Sequence, residues 1–132
     1  MTTVKARFEG KGYRPLVDFG NWRVAVLNPD GFQTRESVEY CERHIETDEV
    51  FVLLSGKARL IDSGTGPRPL RAPKAVPLKN GAVYNVKKGT WHFILMSAES
   101  RLLIVENRNT TRKNSRYHYF SDDERALLRK MF

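Results

Sequence analysis

The sequence predicts an all-β barrel or sandwich with one short α-helix at its C-terminal end. Three observations carry this. The cleanest apolar runs, residues 50–54 and 102–105, have strand length. Turn signals recur about every eight to twelve residues. Near the end, Ser121-Asp122-Asp123-Glu124 stands just before an apolar stripe, as a helix capping box does.

The elements follow in order. Residues 16–19 and 22–27 read as short strands joined through Gly20-Asn21. Asn28-Pro29-Asp30-Gly31 is a turn, because proline fixes φ and glycine accepts positive φ. Residues 37–44 alternate loosely. Residues 49–54 are apolar on both faces, Ser55-Gly56 reverses the chain, and 57–61 return to complete a hairpin. Residues 63–77 hold four of the six prolines and read as a long basic surface loop, since proline removes ladder donors. Extended structure resumes at 83–86, Lys87-Lys88-Gly89 turns, and 91–96 and 101–106 are strands separated by a turn at 97–100. Residues 107–119 are polar and read as irregular. Ser121 then caps the helix, Asp122 and Asp123 suit its positive end, and Ala126, Leu127, Leu128 and Met131 form its apolar stripe.

At 132 residues the chain has the length of one domain, expected as a barrel over about 14–106 and an extension with a helix over 107–132. Fourteen aromatics, seven Phe, five Tyr and two Trp, suffice for its core. The single cysteine, Cys41, rules out an intrachain disulfide and a thiolate zinc cluster; its strand parity makes it a core residue. No apolar run approaches the roughly 20 residues of a bilayer span, and residues 1–5 lack a signal-peptide pattern, so a soluble cytoplasmic protein with no membrane contact is expected. The net charge of +8 raises nucleic acid as a partner, but its distribution argues against one. Residues 56–90 carry eight Lys/Arg against one acid, while 35–55 carry six acids against two Arg. No dense basic run, helix-turn-helix or RNP-like aromatic motif accompanies them.

The chemistry-bearing residues are two histidines and their carboxylates. Glu42 and His44 differ by two and share one face of a strand. Glu49, Phe51 and Leu53 share a face of the next; His92, Ile94 and Met96 share one of a later strand. If these faces line one interior, imidazoles and carboxylates converge in an apolar cavity, a ligand set suited to Fe, Mn, Zn or Ni. Hydrogen-bonded structural histidines and a solvated acidic edge are the alternative. Tyr40, Phe51, Tyr84, Ile94 and Met96 line the cavity by parity or belong to ordinary core. His118 reads as a surface or docking residue beside the helix.

The spacing resembles that of the cupins, small β-barrels with two signature motifs. His44, four residues, Glu49, six residues, Gly56 follow the first motif, with Glu36 at its leading Gly position and Glu42 at its first His position. Gly81, Gly89 and His92 follow the second, with Lys87 at its Pro and Met96 at its Asn. Six of ten fixed positions match, including three of four ligand positions. The resemblance implies a cupin-like double-stranded β-helix, a jelly-roll barrel, closed by the C-terminal helix. It implies a divalent transition metal on His44, Glu49 and His92, with Glu42 as a further ligand or a catalytic general base. A small, anionic organic molecule is the expected ligand, with the basic loop 65–79 as its attractor, and a homodimer the expected assembly. It also puts Gly56 and Gly89 at tight reversals and turns Trp91 away from the pocket. Two functions follow: a metal-dependent small-molecule enzyme or binder, and a metal-free ligand-binding or regulatory module.

Overall fold

Burial alternates along residues 49–53 and 101–107 with the period of two that a half-buried sheet requires, and these strands belong to one of two facing layers. A computed structural model describes residues 2–132. One sheet orders β1 (Gly12–Phe19), β2 (Trp22–Asn28), β9 (Arg101–Asn107), β4 (Glu49–Ser55) and β7 (Val83–Val86). The other orders β10 (Ser115–Tyr119), β3 (Tyr40–His44), β8 (His92–Met96), β5 (Ala58–Asp62) and β6 (Lys74–Pro77). All strand pairs are antiparallel. This is the all-β jelly-roll barrel expected, and α1 (Asp122–Met131) follows it.

Two expectations need correction. Residues 115–119 are not irregular: they form β10, which pairs with β3 from Ser115 opposite His44 to Tyr119 opposite Tyr40. The barrel's strands therefore run from residue 12 to residue 119. The proline-rich segment is not loop throughout, because Lys74–Pro77 pairs with β5 as the edge strand β6. Pro77 is tolerated there since an edge strand has no neighbour to serve on its outer side.

The barrel interior is filled at one end and hollow at the other. Leu53, Ala58, Leu60, Leu78, Met96 and Leu102 pack the closed end. Phe51 and Ile104 border both regions. A second apolar cluster lies under α1, where Cys41, Ile61, Trp91, Phe93 and Leu95 meet Leu128. Cys41 is thus core, as expected. Ser121 accepts from the Glu124 amide and Glu124 accepts from the Ser121 amide, so the capping box forms. Trp91 does turn away from His92; it is buried in the cluster under α1, with Arg43 stacked on its ring. His118 pairs with Glu124 of α1 at 2.9 Å.

Two glycines fix the reversals that set strand register. Gly56 has φ +73°, and a Cβ there would lie 2.5 Å from the Cα of Ser100. Gly89 has φ +82° and delivers the chain to His92; its amide donates to the His44 carbonyl at 2.7 Å, tying the two histidine strands together. No helix among the described residues is long and apolar enough to cross a membrane.

Candidate metal centre

Glu42 and His44 point inward from β3, Glu49 from the start of β4 and His92 from the start of β8. Glu42 stands directly opposite His92 in the β3–β8 register. One ligand atom from each of the four lies within 4.8 Å of the others. Their side chains reach into a cavity of about 410 Å³ at the hollow end of the barrel.

The hydrogen bonds determine which nitrogen of each imidazole faces the centre. His92 Nδ1 is 2.9 Å from the Thr90 carbonyl, which only accepts, so Nδ1 carries a proton. His44 Nδ1 is 2.8 Å from Ser115 Oγ. The Ser115 hydroxyl itself donates to the Thr111 carbonyl at 2.8 Å, so Ser115 accepts from His44 Nδ1–H. Both rings therefore turn Nε2 toward Glu49, at 3.4 Å from His44 and 2.8 Å from His92. Glu42 Oε1 is 3.8 Å from His44 Nε2.

Burial and charge act against each other here. Burial pushes the Glu42 carboxyl up, and the neighbouring Glu49 charge adds to it. Burial would also raise Glu49, but the two imidazoles outweigh it and hold that carboxylate well below its ordinary range. Burial would lower His92, yet the Glu49 hydrogen bond and charge lift it to about 9. His44 is also raised, against its burial, by the nearby Glu49 and Glu42 carboxylates.

Sequence reasoning missed the other wall of the cavity. Glu106, at the end of β9, is buried, with Oε1 accepting from Tyr13 Oη at 2.7 Å and from Arg23 Nη2 at 2.9 Å. Its Oε2 has no partner and lies 3.8 Å from His44 Nε2, itself unpartnered. Burial, then the Glu49 charge, raises the Glu106 carboxyl. The run Arg101 to Glu106 ends in a single acid that looks like an ordinary strand terminus, and only its inward parity with Leu102 and Ile104 hints otherwise. Ser115 was hidden in the segment read as irregular.

Of the residues expected to line the cavity, Tyr40, Phe51 and Ile94 do so. Met96 and Tyr84 do not. Both face the barrel core, but Met96 lies in the packed closed end and Tyr84 packs against it, its hydroxyl accepting from the Lys79 amide. The basic loop is also misplaced: no residue of 65–79 lines the cavity, and Pro69, Leu70, Arg71 and Pro73 instead lie against α1.

The donor set fits a transition-metal ion. Two nitrogens and carboxylate oxygens suit one. The buried, unpartnered Nε2 of His44 is a lone pair aimed at the shared centre. Each imidazole also has the outer Nδ1–H partner that metal-ligating histidines almost always have.

Two opposed antiparallel sheets closed round one hollow end define a fold class, and the solved structures bear that fold out. A cupin-2 domain protein of Shewanella frigidimarina superposes with a TM-score of 0.56 at 20% identity, over 76% of this chain and 85% of that one. A tyrosine variant of Streptomyces PAC13, bound to uridine, superposes with a TM-score of 0.62 at 14% identity, over 93% and 96%; Pac13 is described as a nucleoside dehydratase. The chain has the cupin fold. In sequence it is 27% identical over 108 residues to a ureidoglycolate lyase of Pseudomonas fluorescens, 80% of this chain and 65% of that protein. The corresponding lyase of another strain is 28% identical over the same shares. The chain thus spans about two thirds of the length of these curated relatives. No family model matches it.

Proposed function

We propose that the chain binds one divalent transition-metal ion, Fe, Mn, Zn or Ni, and a small organic ligand at the hollow end of the barrel, and catalyses lyase-type chemistry there. His44, Glu49 and His92 would hold the ion, and Glu42 would face the ligand. The observation that carries this reading is the pair of Nδ1 anchors, Ser115 and Thr90, which turn both Nε2 atoms to one point. When bound, such an ion polarises an oxygen of the ligand and so eases loss of a proton or leaving group beside it. The residues do the rest. Phe51, Ile94 and Ile104 restrict water at the inner wall. Glu42, whose carboxyl burial pushes up, would take a proton from the ligand and return it. Elimination is favoured over other cupin chemistry by the likeness to ureidoglycolate lyases.

A second reading rests on the 2.8 Å contact of His92 Nε2 with Glu49 Oε1. A protonated imidazole there pairs with the carboxylate and satisfies both without a cation, as in a metal-free binding or regulatory module. Metal analysis of the purified protein separates the two. One equivalent of metal in wild type, lost in His44→Ala and in His92→Ala, supports the first. Metal-free wild type that takes up none of the four ions overturns it.

The outer face of the first sheet supports self-association. Val17, Val24, Val105 and Val50 lie in one register row, with exposed Phe19, Trp22 and Val83 nearby. We infer an isologous homodimer through this face, which light scattering would report as twice the chain mass.

A further inference from the structure

We propose that Arg112 is the anion anchor of the cavity and that the ligand is a small organic carboxylate, held by its carboxylate on this guanidinium with the rest of the molecule directed toward His44 and His92. The inference deepens the proposed function, since it assigns the ligand class of the same cavity.

The charges of the lining narrow the choice. The wall carries Glu42, Glu49 and Glu106, with Asp30 and Glu39 toward the outside, and only two guanidiniums, Arg23 and Arg112. Arg23 is paired with Glu106 at 2.9 Å. Arg112 has no carboxylate within ion-pair distance among the described residues. An anionic ligand has no other unpaired guanidinium in this lining to meet.

Arg112 is held in place, unlike most exposed arginines. Its guanidinium lies 4.4 Å over the Tyr117 ring and its Nη2 donates to the Tyr119 hydroxyl at 3.2 Å. Tyr40 packs on both tyrosines, with ring centroids 5.4 and 5.3 Å away. One N–H goes to Tyr119, and the others remain for the two-pronged contact a carboxylate makes. A pre-set fork loses less freedom on binding than a mobile side chain does.

The backbone ties this anchor to the metal-facing side of the cavity. Arg112 opens a short 3-10 turn, Arg112–Asn114, capped reciprocally by Thr111 and Asn114. The Thr111 carbonyl accepts from Ser115, which in turn accepts from His44. One turn therefore holds both the guanidinium and the imidazole. At about 410 Å³ the cavity is near the lower end of ligand-site volumes, which suits a small acid. A phosphate monoester, nearly doubly charged at neutral pH, would meet Glu42 and Glu49 at greater cost.

The test is calorimetric binding of glycolate, succinate and benzoate, each against its amide, and of methyl phosphate, to the protein as purified. At least one acid is expected to bind roughly tenfold or more tightly than its amide and than methyl phosphate. Arg112→Gln should lose that factor and erase the acid–amide difference, and Arg112→Lys should retain part of it, with metal content and melting temperature unchanged in both. The proposal is overturned if no acid binds wild type, if amides or methyl phosphate bind as well, or if Arg112→Gln binds the acid like wild type. Arginine-dependent selectivity in a metal-free protein would sink the metal reading and leave this one standing. A metal-loaded protein indifferent to Arg112→Gln would do the reverse.

Discussion

The Nε2 of His92 stands 2.8 Å from Glu49 Oε1 while its Nδ1 donates to the Thr90 carbonyl. A neutral imidazole has one N–H, so in the absence of a cation the ring must carry a second proton to satisfy both contacts, or Glu49 must supply one. Glu49 is held ionised and His92 is lifted to about 9, so the proton belongs to His92. Metal uptake at pH 7 should therefore release that proton, and affinity should rise about tenfold per pH unit until the pH nears 9. Calorimetry in buffers of different ionisation enthalpy counts the protons; uptake without release contradicts the assignment. The sign for stability is opposite. In the metal-free protein the His92–Glu49 pairing contributes fully below the ordinary histidine value of 6.5, and that contribution is lost as the pH rises through about 9.

Ser115 fixes the tautomer of His44 from outside the centre. Ser115→Ala removes the acceptor for Nδ1–H and frees the ring to turn. Metal affinity should drop about 10- to 100-fold with little change in the melting curve. Equilibrium dialysis checks it, and wild-type affinity would show that the serine is a packing residue.

The two reversals should differ in their tolerance of a side chain. Gly89→Ala meets no atom within 4 Å and bears only the strain of φ +82°, about 1 kcal/mol. Gly56→Ala adds a collision with the Ser100 backbone to a φ of +73°, and should destabilise by about 2 kcal/mol or more. Urea midpoints at constant m-value read the difference. Equal midpoints would mean that the β4–β5 turn yields more readily than its packing implies.

Cys41 tests the burial of the cluster under α1. Burial pushes its thiol up to about 12, so at pH 8 it is protonated and unreactive as well as covered. A disulfide reagent should label it only on unfolding. Leu128→Ala, which opens the contact between α1 and the barrel, should speed labelling at least severalfold; rapid labelling of the folded wild type would contradict the packing.

The convergence of His44, Glu49 and His92 was legible because strand parity and the cupin spacing are local and both survive in the sequence. Parity also identified Met96 as inward-facing. It does not say how far along the barrel an inward residue lies, and that distance separates Ile94 on the cavity wall from Met96 in the packed end. Composition misled at β10 and β6. Ser115–Tyr119 is polar because its inner face serves the site, and Lys74–Pro77 tolerates proline because it is an edge. Glu106 was invisible for a different reason: its partners Tyr13 and Arg23 lie about ninety residues away, and no local pattern announces a buried ion pair.

Diffraction at the absorption edge of a soaked transition metal tests the central claim most directly. The account predicts one anomalous peak within ligand distance of His44 Nε2, His92 Nε2 and a Glu49 oxygen, about 2.0–2.2 Å from each. Crystals that show no peak there, with His92 still closed on Glu49, would contradict it.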